Sequence, residues 1–150
     1  GPASQKSYQT KSFIKSTLLS NDVITLGSSV TDQATVNPSN ARGTVRFEVS
    51  TNGGVSWTQF GTVKTLPGSN PNTVTSDPYT PAAPGTYYFR AVYTPSSYQW
   101  ASSKSGRYEE HLLVKLSQTV PEVPIGTLMA GVAMVLALSC TMAVKRRKKA

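Results

Sequence analysis

The feature that most constrains this chain is a run of twenty residues without a charge, Ile125 to Val144. Built as an α-helix, a run of that length spans about 30 Å, the thickness of a bilayer's hydrocarbon core, and satisfies its backbone hydrogen bonds internally. Pro121 and Pro124 stand just ahead of it, where a first helical turn tolerates the missing N–H. Lys145, Arg146, Arg147, Lys148 and Lys149 follow at once. Cations collect on the cytoplasmic side of a span, so the expected topology is single-pass in the cell membrane, with the C-terminus inside and residues 1–122 outside. A buried helix of a soluble protein is the competing reading. Five cations directly after an uncharged helix of this length argue against it. The lipid bilayer is thus the first partner implied.

The same tail explains the charge balance. The chain carries a net +8, which invites a nucleic-acid reading. Without the terminal five, ten Lys and Arg face seven Asp and Glu, and Lys6, Lys11 and Lys15 of those ten lie near the N-terminus. Nucleic-acid binding needs a basic face on the domain itself, so nucleic acid is not an expected partner. The single cysteine, Cys140, falls inside the apolar run, so no disulfide can form within the chain. The sequence opens Gly-Pro-Ala-Ser without Met or an apolar leader. That start is expected of a C-terminal piece of something longer, of a chain whose signal has been removed, or of a cleavage scar.

Residues 17–116 read as β throughout, in short alternating runs broken by Gly, Pro, Asn and Ser. Residues 1–16 form a polar arm, 117–124 a Pro-containing linker, 125–144 the span and 145–150 the basic tail. In Thr44 to Ser50, Val45, Phe47 and Val49 share one face, with Arg46 and Glu48 on the other, the mark of a strand with one side buried. Asn52-Gly53-Gly54 tolerates positive φ, and Ser56 to Phe60 runs back, which predicts a hairpin. Gly85 to Thr94 is the strongest strand, with Tyr87, Phe89 and Ala91 inward and Arg90 outward. Val23–Leu26 and Ser29–Val36 are expected as a first edge strand and its neighbour. Val74 and Tyr79 mark short strands, and Leu112, Val114 and Leu116 alternate in a closing one. About seven short strands in some hundred residues predict an all-β antiparallel sandwich.

Four blocks in order, Ser29–Val36, Gly43–Phe47, Ser50–Trp57 and Pro84–Tyr93, resemble the bacterial Ig-like repeats of prokaryotic surface proteins over roughly residues 16–116. The resemblance implies an Ig-like sandwich that does not depend on an inter-sheet disulfide, used as a spacer or adhesive module and often in tandem. It also implies a corner role for Tyr87, its hydroxyl bonding backbone. Val120-Pro121-Glu122-Val123-Pro124-Ile125-Gly126-Thr127, the apolar run and the basic tail resemble archaeal C-terminal sorting signals of the Pro-Glu-Phe type, with Val123 where that pattern has Phe. Surface-layer components and neighbouring Ig-like repeats are the partners such tails and repeats imply.

No reacting constellation stands out, and neither an enzyme activity nor a cofactor is expected. His111 is the only histidine, Cys140 lies in the apolar run, and nothing resembles a nucleophile elbow. Asp32, Glu48 and Asp77 are hard oxygen ligands of the kind calcium takes, but they are scattered, without Asp-x-Asp-x-Asp spacing. Trp57, Tyr98 and Trp100 are candidate aromatics for stacking on sugar rings; packing over the sandwich edge and pinning a loop are the ordinary alternatives. The expected function is therefore a membrane-anchored surface module, a stalk, spacer or adhesive domain. Two alternatives are a glycan- or protein-binding module using exposed aromatics, and the membrane-proximal stalk of a longer surface enzyme.

Overall fold

A computed structural model describes residues 9–106 and 110–117, and within them the chain is all β, without a helix. Among the described residues no helix is long and apolar enough to cross a membrane. The predicted span 125–144, the anchor residues from Pro121 to Lys149 and Cys140 lie outside the described residues.

The strands are β1 (Phe13–Leu18), β2 (Val23–Thr25), β3 (Asp32–Asn37), β4 (Gly43–Ser50), β5 (Thr58–Thr65), β6 (Thr73–Thr75), β7 (Gly85–Pro95), β8 (Ser103–Lys104) and β9 (Glu110–Lys115). They form a β-sandwich of two sheets. The smaller runs β1-β3-β6; the larger runs β2-β9-β7-β4-β5, with β8 also on β7. Every pairing is antiparallel except β2 with β9, which is parallel, Val23 opposite Leu113 and Thr25 opposite Lys115.

Period-two alternation decides which residues meet between the sheets. Val45, Phe47 and Val49 of β4, and Tyr87, Phe89, Ala91 and Tyr93 of β7, are all buried in one core with Leu112 and Val114 of β9. Ile14, Ala34 and Val36 enter the same core from the smaller sheet. Phe60, Tyr79, Tyr87 and Phe89 make its aromatic part, with ring centroids 5.2–6.1 Å apart in tilted and edge-on arrangements, geometries the ring quadrupole favours. The Tyr87 hydroxyl donates to the Ala83 carbonyl at 2.7 Å, which ties β7 back to the loop before it.

Three expectations need correction. A strand begins at Phe13, inside the segment read as a polar arm, and Thr10 already bridges to Trp100. Consequently Val23–Thr25 is not the neighbour of Asp32–Asn37. β1 takes that place, and β2 crosses to the larger sheet beside β9. Leu116 lies past the end of β9 and is exposed.

Two turns depend on local chemistry. Between β4 and β5, Ser50 Oγ accepts the amides of Asn52 (3.3 Å) and Gly54 (2.9 Å), while Asn52 Oδ1 accepts the Ser56 amide (2.9 Å). Gly53 and Gly54 take φ of 71° and 81° there, values that a Cβ makes costly. Farther along, β5 is an edge strand, and it is bulged. The β4–β5 register passes from Val45 opposite Lys64 to Phe47 opposite Phe60, so three residues of β5 stand against Arg46. Asp77 pins the bulge. One carboxylate oxygen accepts the amide and hydroxyl of Thr62, both at 2.6 Å, and the other meets Lys64 Nζ at 2.6 Å.

Candidate functional site

The outward face of β4 and β7 carries the most concentrated chemistry on the larger sheet. Alternation turns Arg46 and Glu48 away from the core, and the register sets Glu48 directly opposite Arg90. Arg90 Nε donates to Glu48 Oε1 at 2.6 Å, and Arg46 Nε to Glu48 Oε2 at 3.1 Å. Burial pushes the Glu48 carboxyl up, but the hydrogen bonds and charges of Arg90 and Arg46 outweigh it and hold the group below its ordinary value. The Arg90 guanidinium also lies 4.3 Å from the Trp57 ring centroid, a cation–π contact. Trp57 Nε1 donates to the Gly54 carbonyl at 3.1 Å. Trp57 therefore locks the β4–β5 loop onto the sheet, with one side of its ring covered by Arg90.

Beyond Arg46, an open groove of about 540 Å³ runs between Arg46, Val92, Thr94, Ser102, Ser103 and Lys104. It lies where β8 pairs with Val92 and Tyr93 of β7. Two cations and three hydroxyls give it donors for an acidic or polyhydroxylated ligand.

The three candidate aromatics are not brought together. Trp57 sits at the β4–β5 turn, whereas Tyr98 and Trp100 lie on the β7–β8 connection at the other end of the strands. Trp100 is only 7% exposed, and its neighbours are stitched to the N-terminal segment: Thr10 N–H donates to Gln99 O at 2.8 Å and Ala101 N–H to Thr10 O at 2.9 Å. Tyr98 is 74% exposed. A shared stacking platform of all three is thus not formed.

The candidate calcium ligands are likewise separated. Asp32 is fully buried between the sheets, Glu48 is engaged by two arginines, and Asp77 holds the β5 bulge. Hydrogen bonds from Lys64 and Thr62 keep the Asp77 carboxyl well below its ordinary value. Among the described residues no group of three or more His, Cys, Asp or Glu gathers as a metal site. His111 is exposed on β9, opposite Tyr88.

The Arg46–Glu48–Arg90–Trp57 constellation was not singled out from sequence. Each residue's outward orientation follows from alternation, but the pairing of residues 48 and 90 needs the strand register. No family model matches the chain, and no curated protein matches it.

Proposed function

We propose that this chain is a membrane-anchored cell-surface module, an Ig-like sandwich that acts as a stalk, spacer or adhesive unit rather than as a catalyst. The observation that carries the reading is the uncharged run Ile125 to Val144 followed immediately by Lys145 to Lys149. The Ig-like assignment is supported by the strand order. β1, β3 and β6 face β2, β9, β7, β4 and β5, with β2 leaving the first sheet to run parallel to the last strand. The Tyr87 hydroxyl on the Ala83 carbonyl is a further support, since Ig-like sandwiches fix the same corner with a tyrosine. A sandwich held by packing suits a chain whose one cysteine lies in the apolar run.

On this reading the linker 117–124, extended by its prolines, holds the sandwich within about 25 Å of the head groups. Protease treatment of intact cells that display the chain should release a fragment containing residues 17–116. Protection of that fragment until the membrane is opened overturns the topology.

A second reading, recognition of a glycan or protein, is favoured by one place. The exposed Tyr98 ring stands on the β7–β8 connection, which also contributes Ser102 to the groove between Arg46 and Lys104. Tyr98→Ala and Lys104→Ala should lower retention of the chain on an acidic polysaccharide matrix. Retention unchanged in both variants removes this reading and leaves the spacer role.

A further inference from the structure

The last register pair of β4 and β5 on the turn side is Val49 with Thr58, and beyond it the chain leaves the sheet. The segment after β6 reaches the same place, where Tyr79 and Val30 exchange both backbone hydrogen bonds, at 2.8 and 2.9 Å. Between the turn and that segment lies a pocket of about 230 Å³, open to solvent. The buried part of its lining is apolar: Val49, Phe60 and the partly buried Tyr79. The exposed part is polar: Thr51, Ser56, Thr58 and Gln59. None of these residues carries a charge.

Both parts are shaped before any ligand arrives. The Tyr79 ring packs on Phe60 and Phe89, with centroids 5.2 and 5.7 Å apart. On the turn, Asn52 fixes Ser56 twice: Oδ1 accepts its amide at 2.9 Å, and Nδ2 donates to its hydroxyl at 2.7 Å. Trp57, next along, is anchored to the Gly54 carbonyl and covered by Arg90. A wall held in this way loses little freedom on binding. Among the described residues the hydroxyls of Thr51, Thr58 and Tyr79 have no hydrogen-bond partner, and each can both donate and accept.

The lining selects by chemistry and by size. Without a charge it offers nothing to an ionic group. A purely apolar ligand would strip water from its hydroxyls and amide without replacing the lost hydrogen bonds. Pockets for drug-sized molecules run about 300–1,000 Å³, so this one takes a single ring. A pyranose has the matching surface, with C–H groups on a face and hydroxyls around the edge.

We propose that this pocket binds one neutral pyranose unit of a glycan, its C–H face against Phe60 and Tyr79 and its hydroxyls bonded to Thr51, Ser56, Thr58 and Gln59. The site shares no residue with the groove between Arg46 and Lys104, and it depends neither on that groove nor on membrane anchoring.

The test is an NMR titration of the full chain in a detergent without a sugar head group. The probes are methyl β-glucoside, methyl β-galactoside, methyl α-mannoside and N-acetylglucosamine. At least one should shift the amides of Thr51, Ser56, Thr58, Gln59 and Tyr79. Cyclohexanol, a ring of the same size with one hydroxyl, should bind about tenfold more weakly than that sugar. Thr51→Val and Thr58→Val together keep the side-chain shape and remove two hydroxyls, so the sugar's affinity should fall about tenfold with the urea midpoint unchanged. Tyr98→Ala and Lys104→Ala should leave that affinity as it is. No shift with any of the probes overturns the proposal, and so do shifts gathered at Ser102 to Lys104 instead. Cyclohexanol binding as tightly as the sugars, or undiminished binding by the folded double variant, overturns it as well. Sugar binding at this pocket without retention on an acidic polysaccharide supports it and removes only the groove.

Discussion

The interior of the sandwich is held together in two different ways on its two sides. Around Phe60, Tyr79, Tyr87 and Phe89 the sheets meet through rings, and the cohesion there is area removed from water plus ring–ring contact. Around Ser16, Asp32, Ser105 and Glu110 they meet through hydroxyls and carboxyls, where cohesion depends on every hydrogen being in the right place. The rings stand on β5, β7 and the loop before β7, whereas the polar groups stand on β1, β3, β9 and the residue after β8. The contrast teaches that a small sandwich without a disulfide can give one part of its core to non-directional packing and another to directional hydrogen bonds.

Substitutions can break this contrast one side at a time. Phe89→Ala empties the centre of the aromatic side and should cost about 3–5 kcal/mol, nearly the same at pH 5 and pH 8 by urea unfolding. Ser16→Ala removes the hydrogen bonds to Ser105 and Glu110 while leaving the volume almost unchanged. It should cost about 1–3 kcal/mol, the penalty of a buried group losing its partner. Tyr87→Phe keeps the ring and removes only the bond to Ala83, so about 1 kcal/mol is expected. The smallest effect appears only in acid. Glu48 and Asp77 have folded values below their unfolded ones, so the stability they supply is present above about pH 4.5 and is lost as pH falls through the folded values. Glu48→Gln should therefore shallow the acid limb of the stability profile, read by urea unfolding.

The aromatic side was legible in the sequence and the polar side was not. In β4 and β7 the inward positions are apolar in unbroken alternation, so Val45, Phe47, Val49, Tyr87, Phe89 and Ala91 identify their own face. In β1 the inward row reads Ile14, Ser16, Leu18, and the serine interrupts the apolar pattern that would mark a strand. Asp32 looks like a surface acid in the sequence, and its burial follows from its place at the start of β3, where its backbone pairs with Leu18 and Ser76. The parallel pairing of β2 with β9 is non-local in the same way. Three residues at one end of the domain choose a partner ninety positions away, and no local pattern encodes that choice. Tyr98 and Trp100 are two residues apart yet differ fully in exposure, because only Trp100 is enclosed by the Thr10 segment.

The bulge in β5 bears on how many copies can live side by side. An edge strand with free amides and carbonyls is a template for another chain, and molecules confined to a surface meet one another far more often than molecules in solution. Here the two extra residues of β5 opposite Arg46 distort that template, and the Asp77 carboxylate uses the Thr62 amide that a neighbour's strand would need. Lys64 adds a charge at the same place. Under the proposed membrane anchoring, a dense lawn of such modules would thus be kept from zipping edge to edge into a continuous sheet.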